Sequence, residues 1–588
     1  MLQSAGMQRP RVVRVWEKVE IELFSERPYD NPYADVDVWV TLTGPGCSRR
    51  VYGFWDGGNA YRVRILAPAP GEWQWESDSS PHDPGLAGHR GGFTASRWTE
   101  EEIAENPCRR GIPRATENGH ALEYADGTPC FLLGDTWWAA PTHRFPWRDD
   151  DRERPLGPGM AFQDMVRHRK AQGYNCIAII AAFPNWANDG HPARIVAEDG
   201  TAIRAAWEQA GTGSAKDMHN EGGRPFLFPG RVLGYEDVFP DVERINPAYF
   251  QAMDRKIDYL NAQGLIPFIE VARRDVSMAW AKYYPWPDSC ARYVQYVWAR
   301  YQAHIAILSP IHFDSPGLSI PSRAYNAAAN AVFAKGIPAF GSPLSCNAAG
   351  SSLLNFGNAP EAPWLSLHQI GNRRDHDSHW LLTHIYRTAD PPRPALNGEP
   401  YYAGWPPGTE IAPDSEEADL YCRSGMYGSL LSGGLAGHIY GAVGLWGGDI
   451  EPEAPYKTWE ALGWRSGDQM RHLRTFALSE GPRYQDLVPD ADLVTPNKTG
   501  PTEGNRAWAY CAATPDMSLV MVYLEADCPP ATVRCLRYGG VYEATWFDPR
   551  TGAWHAAGTL RADASCSARL PEPPGKGDWA LKMVAVGG

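Results

Sequence analysis

The sequence has no CxxC pair and no Cys/His spacing of a zinc site, and its 11 cysteines are odd in number and scattered over 588 residues. That excludes a disulfide scaffold and a structural metal from the expected architecture and predicts free thiols. No stretch approaches the roughly 18 uninterrupted apolar residues of a membrane span. The opening MLQSAGMQRPRVVRVW lacks the apolar core of an export signal, so a soluble, cytoplasmic chain with no membrane partner is expected. There is no basic stripe: Lys+Arg 55 against Asp+Glu 69 gives a net charge of −14, which argues against nucleic acid as a partner. No GxGxxG or GxxxxGK[ST] stands at a strand-to-helix turn, no HExxH occurs, and no Ser sits in a nucleophile elbow. Nucleotide binding, zinc proteolysis and serine hydrolysis lose their usual signatures, and no cofactor is expected. Internal repeats and low-complexity segments are also missing.

What is present is aromatic and turn-rich: 24 Trp, 27 Tyr, 18 Phe, 58 Gly and 51 Pro. This composition predicts several domains with much β-structure and an aromatic-lined site. Residues 1–105 carry short alternating runs such as VRVWEKVEIELFS and GEWQWESDSS, with Asp56-Gly57-Gly58-Asn59 as a hairpin turn. They predict a β-sandwich whose Trp16, Trp55, Trp73 and Trp75 are core. Residues 106–480 alternate eight apolar runs with amphipathic helical segments, the pattern of a (β/α)8 barrel in the α/β class. The runs begin near 131, 175, 264, 304, 336, 364, 393 and 433, and TWEALGWRSGDQMRHLRTFALSEG reads as one last long helix. Strand-like runs return over 481–588 and predict a second β-sandwich. Either β-domain could make a homo-oligomer.

In a barrel the reacting groups sit where the strands end. The polar residues there are Asp135 with Trp137 and Trp138, Asn185, Glu270 with Arg273, His312 and Asp314, His368 and Gln369, Glu399, and Trp446 with Asp449. Trp faces stack on sugar rings, while Asp, Asn, Gln and His replace the water around hydroxyls. Glycosidic cleavage needs a protonated carboxyl at the leaving oxygen and a second carboxylate to attack or to activate water. Glu399, after Asn397-Gly398 and before Pro400, is the stronger of the two. Asp314 is its candidate partner and Glu270 the competitor, unless Glu270 is tied up by Arg273 or Arg274. Asp135, Trp137, Trp138, Asn185, Glu270, His312, His368, Gln369 and Trp446 are expected to hold the sugar, and no metal set is apparent.

The order of VYGFWDGGNAYRVRILAPAPGEWQWESDS, then GTPCFLLGDTWW, then PALNGEPYYAGWP, then a closing β-domain resembles the apiosidase-like glycoside hydrolases, including glycoside hydrolase family 140. The resemblance spans nearly the whole chain. It implies an acid/base Asp after strand four and a nucleophilic Glu after strand seven, hence Asp314 and Glu399. Relatives end strand four with Trp, two small residues and the acid, where this chain has AILSPIHFDSP, and they show a Gln-Ser-Gly-His-like run where it has His368-Gln369-Ile370-Gly371-Asn372. Both departures fall where substrate would sit, so they bear on which sugar is taken and not on the class of activity; the expected activity is a retaining exo-glycosidase acting on an oligosaccharide or glycoside, with a pentofuranose or similar terminal sugar. A polysaccharide lyase, or a sugar-binding barrel without catalysis, is the alternative.

Overall fold

The computed structural model describes residues 11–182, 219–227, 230–231, 240–273, 280, 283–314, 320–371, 379–405, 411–498 and 506–586, plus the backbone of 195–196 and 202–203. Near the N-terminus, a five-stranded sheet runs in the order Arg11–Arg14, Arg90–Ser96, Gly71–Ser80, Asp37–Gly44, Cys47–Tyr52. A three-stranded sheet of Val19–Phe24, Ala60–Ile65 and Phe54–Gly57 packs on it. Its predicted hairpin turn is present, with Gly57 and Gly58 at φ +107° and +55°, the left-handed region that glycine enters without steric penalty. Trp73 is core at 1% exposed, but Trp16, Trp55 and Trp75 are only partly covered, so the expectation that all four are core holds for one.

The central region is a mixed α/β unit. Its sheet runs in the order Ile307–Ser309, Ile266–Ala272, Cys176–Ala182, Leu132–Thr136, Gly437–Tyr440, Ala395–Asn397, His368–Gly371, Gly350–Ser351. The first seven are parallel and the last pairs antiparallel. The two rims of this sheet are joined by the backbone of 343–349. Leu308 donates to Pro343 at 3.0 Å, Ser345 to Leu308 at 2.9 Å, Phe313 to Asn347 at 2.9 Å and Leu367 to Leu344 at 3.0 Å.

Long apolar runs form the strands because they are buried on both faces. Helices follow where the period changes. Pro247–Ala262, for instance, starts with Asn246 capping the Ala248 amide and Pro247 in its first turn, and it ends at Gly264, φ +82°.

Two expectations are corrected here. The run expected as a strand at 336–342 is not one, since Gly336 and Gly341 adopt positive φ and the segment forms turns. The last long helix is two, Thr458–Leu462 and Arg465–Ala477, interrupted at Gly463 and Trp464.

The C-terminal region is all β. Six strands, in the order Val488–Pro489, Ala509–Ala513, Leu519–Leu524, Trp579–Ala585, Val541–Phe547, Trp554–Arg561, are accompanied by a smaller three-stranded sheet. It is seated on the Glu416–Leu431 helix through Arg423, which donates to both carboxylate oxygens of Asp578 at 2.9 Å. All 11 cysteines are free thiols. No helix among the described residues is long and apolar enough to cross a membrane.

Candidate active site

The ends of three parallel strands and the 343–349 segment converge on three carboxylates. Glu399 follows the Ala395–Asn397 strand and is 2% exposed. Tyr402 donates its hydroxyl to Glu399 Oε1 at 3.0 Å, and Asn347 Nδ2 donates to Oε2 at 3.1 Å. Trp138 Nε1 donates to the Tyr402 hydroxyl at 3.3 Å. The glycine before Glu399 has a concrete cause: a Cβ on Gly398 would lie 1.7 Å from Gln369 Oε1.

Glu270 ends the Ile266–Ala272 strand and is buried. Its Oε1 accepts the Asn347 amide at 2.9 Å, and its Oε2 is in a short contact with His312 Nδ1. Burial drives its pKa well above the ordinary carboxylate range, and the negative charge of Glu399 adds to the rise against the Asn347 amide. Asn347 therefore ties two acidic groups together, its backbone serving one and its side chain the other.

Asp314 lies beyond the Ile307–Ser309 strand. Arg273 donates to its Oδ2 at 2.9 Å, and His312 Nε2 is 3.5 Å from the same oxygen. The Trp138 ring centre is 4.7 Å from that of His312. One donor atom each from His312, Asp314 and Glu399 falls within 4.8 Å of the other two. This is a compact acidic centre, walled by Trp138 and His312, in which two carboxylates can face one bond.

Of the expected site residues, Glu399, Asp314, Glu270, His312 and Trp138 come together. Asp135 and Trp137 do not. Asp135 is wholly buried, accepting Arg169 Nε at 2.6 Å, Trp137 Nε1 at 2.9 Å and the Thr136 amide at 2.9 Å. Trp137 is packed against Phe145 and Phe162. The structure thus places these two in an internal ion pair with its aromatic cover. His368 is buried, joined to Ser352 Oγ at 2.9 Å, and pushed down to about 3 by burial. That places it within the packed interior beside Ser352. Gln369 Nε2 donates to Ser345 Oγ at 2.9 Å, and its Oε1 lies against Gly398. Trp446 is 8% exposed, and its Nε1 has no hydrogen-bond partner among the described residues. Asn185 lies outside the described residues.

Sequence reasoning missed Asn347 and Tyr402, which both donate to Glu399. Tyr402 stood in plain view in NGEPYY, three residues beyond the acid. Arg273 pairs with Asp314 and not with Glu270, whose partner is His312.

The Apiosidase-like, catalytic domain family model matches residues 116–482. A domain of unknown function, DUF5060, matches 12–80, and the family described as "Putative collagen-binding domain of a collagenase" matches 488–583. No curated protein matches the chain. Among solved structures, a "putative glycoside hydrolase" from Bacteroides vulgatus ATCC 8482 is 16% identical, with a TM-score of 0.66 over 98% of this chain and 100% of its own. A glycoside hydrolase family 5 structure from the same organism is 17% identical, with a TM-score of 0.56 over 82% of this chain and 94% of its own. These likenesses are of fold. The family match covers most of the chain and spans the acidic centre, so the protein belongs to the apiosidase-like family and is a glycosidase.

Proposed function

We propose that the protein is a retaining, exo-acting glycoside hydrolase that releases a terminal pentofuranose or similar sugar from a plant or microbial glycan. The observation that carries this reading is the approach of Asp314 and Glu399 to within 4.8 Å, donor atom to donor atom. Retaining enzymes hold their carboxyls about 5–5.5 Å apart, whereas inverting ones leave roughly 6.5–9.5 Å for a water. Glu399, oriented by Tyr402 and Asn347, attacks the anomeric carbon. Asp314 gives its proton to the leaving oxygen and then takes one from the water that releases the sugar. The fold that goes with this reading is a closed (β/α)8 barrel over 106–480, with 343–349 as its fifth strand, between β-sandwiches at 1–105 and 481–588. The hydrogen bonds of 343–349 to both rims of the sheet support it. The long insertion at 143–159 supports cleavage at chain ends.

A second reading makes Glu270 the proton donor, favoured by its raised pKa. Against it stand the partners already on both of its oxygens.

The test is turnover of aryl pentofuranosides and hexosides by wild type, Glu399→Gln, Asp314→Asn and Glu270→Gln, with and without azide. Glu399→Gln should be inactive. Asp314→Asn should lose about 10²–10⁴-fold on poor leaving groups, and azide should restore much of that loss on good ones. Azide rescue of Glu270→Gln alone would move the acid to Glu270. An unsaturated, ultraviolet-absorbing product would overturn hydrolysis altogether.

A further inference from the structure

We propose that His312, Asp314 and Glu399 form a binding site for a divalent transition-metal ion of the Zn²⁺ type, so that the same centre takes either the cation or the sugar. The three donors converge within 4.8 Å from three separate places in the sequence, and all are buried. An ion about 2.0–2.2 Å from each donor holds them roughly 3–4 Å apart, so closing the site takes side-chain shifts of about an ångström.

The imidazole is set up for this role. A metal-binding His commonly gives its other ring nitrogen to a carboxylate, which fixes the tautomer and raises the basicity of the ligand nitrogen. Here Glu270 sits on His312 Nδ1, leaving Nε2 turned toward Asp314. Glu270 is in turn held by the Asn347 amide, and Trp138 limits the swing of the ring. An imidazole with two carboxylates suits a borderline cation better than Ca²⁺ or Mg²⁺, which take oxygen alone. Arg273 works against the ion, because its guanidinium donates to Asp314 2.9 Å away. That gives an unusual sign: removing a positive residue should strengthen cation binding.

Co²⁺ is the probe, because its visible absorption distinguishes nitrogen and oxygen ligands from the thiolates that 11 cysteines could offer. The 588-residue chain should bind one equivalent saturably, without a thiolate charge-transfer band. Glu270→Gln should weaken binding about 10–100-fold, His312→Gln should abolish it, and Arg273→Gln should tighten it several-fold. Circular dichroism identifies variants that have not folded, and the wild-type spectrum decides the ligand type without any variant. No saturable binding by wild type, a thiolate band, or affinity unchanged in folded His312→Gln would overturn the proposal. Inhibition of glycoside turnover by Zn²⁺, competitive with substrate and reversed by chelation, is expected in addition. That part rests on the proposed function, whereas the Co²⁺ titration needs no substrate and can fail or succeed independently of it.

Discussion

At the scale of single residues, the site depends on atoms that never meet the substrate. Gly398 is one. With a Cβ 1.7 Å from Gln369 Oε1, Gly398→Ala must push either the amide or the Glu399 backbone aside. We expect Gly398→Ala to fold but to lose most of its kcat/KM, and the double variant with Gln369→Ser to recover part of it. Equal losses in single and double variants would show that the clash is relieved elsewhere.

Asp449, in the chain beyond the Gly437–Tyr440 strand, is a buried acid of another kind. It is fully buried, and neither carboxylate oxygen has a hydrogen-bond partner among the described residues. Burial pushes its pKa up to about 7, with Arg144 and Lys457 opposing and Glu451 adding to the rise. In the unfolded chain the same group ionises near 3.8. The folded state therefore loses stability as pH rises from about 4 to about 7 and stays at the lower level above that. Asp449→Asn removes this dependence. Urea unfolding should show no gain near pH 4 and a gain near pH 8 of at most about 4 kcal/mol, and equal gains at both would contradict an ionisation effect.

Among the elements, legibility followed burial. CIAIIAA and IPFIEVA became strands where expected because both faces are covered. The 343–349 segment reads Pro-Leu-Ser-Cys-Asn-Ala-Ala, too polar to signal a strand, because Ser345 braces Gln369 and Asn347 serves Glu270 and Glu399. The segment that builds the site was thus the least visible in the pattern. GIPAFGS imitated a strand because Ile337 and Phe340 are buried beneath a turn. Glu399 was legible from its place after a short apolar strand. The partner of Arg273 was not, because it follows from the pairing of Arg273 with His312 across two strand ends, which only the register reveals.

One inter-element contact invites a test. Lys256, in the Pro247–Ala262 helix, donates to the carbonyls of Ala140 and Thr142 at 2.8 and 2.9 Å, and so holds the chain beyond Trp138. Burial brings its pKa down to about 7, against roughly 10.4 in an unfolded chain. Wild type therefore gains stability as pH rises from 7 toward 10, because the unfolded state binds the extra proton there. Lys256→Met keeps the volume but deprives the Ala140 carbonyl of this donor, a loss of about 1–3 kcal/mol. The deficit should be larger at pH 9 than at pH 6 in urea titrations, and the reverse order would refute the buried-amine account.

At the scale of the whole molecule, the N-terminal sheets and the central unit share one continuous apolar core. The C-terminal sheet gives Tyr510, Met521, Tyr523 and Phe547 to that core and keeps a second core on its other side. The junction with the N-terminal sheets is polar at its heart. Arg300 donates to Asp56 at 2.8 Å and, with Arg64, to Asp254 at 2.6–3.1 Å, while both guanidiniums lie over Phe54. Burial alone would raise the Asp254 carboxyl, but Arg300 and Arg64 outweigh it and hold its pKa far below the usual range. The stability this confers is complete above the unfolded pKa near 3.9 and is lost as pH falls toward the folded value.

Removing Asp254 leaves the buried Arg300 with Asp56 and the buried Arg64 with Glu20 as their remaining carboxylates, so Asp254→Ala should cost about 3 kcal/mol. Replacing Asp254, Arg64 and Arg300 together by apolar residues of similar volume should cost less, because Asp56 and Glu20 both keep Arg62 as a partner and no buried charge is left unpaired. The triple variant should also lack part of the acid-induced loss seen in wild type. Guanidinium titrations of all three proteins at pH 7 and at about pH 2.5, below the unfolded carboxylate pKa, measure both effects. If the triple variant is as unstable as the single one at pH 7, what joins the sheets to the central unit is the geometry of these hydrogen bonds and not the pairing of their charges.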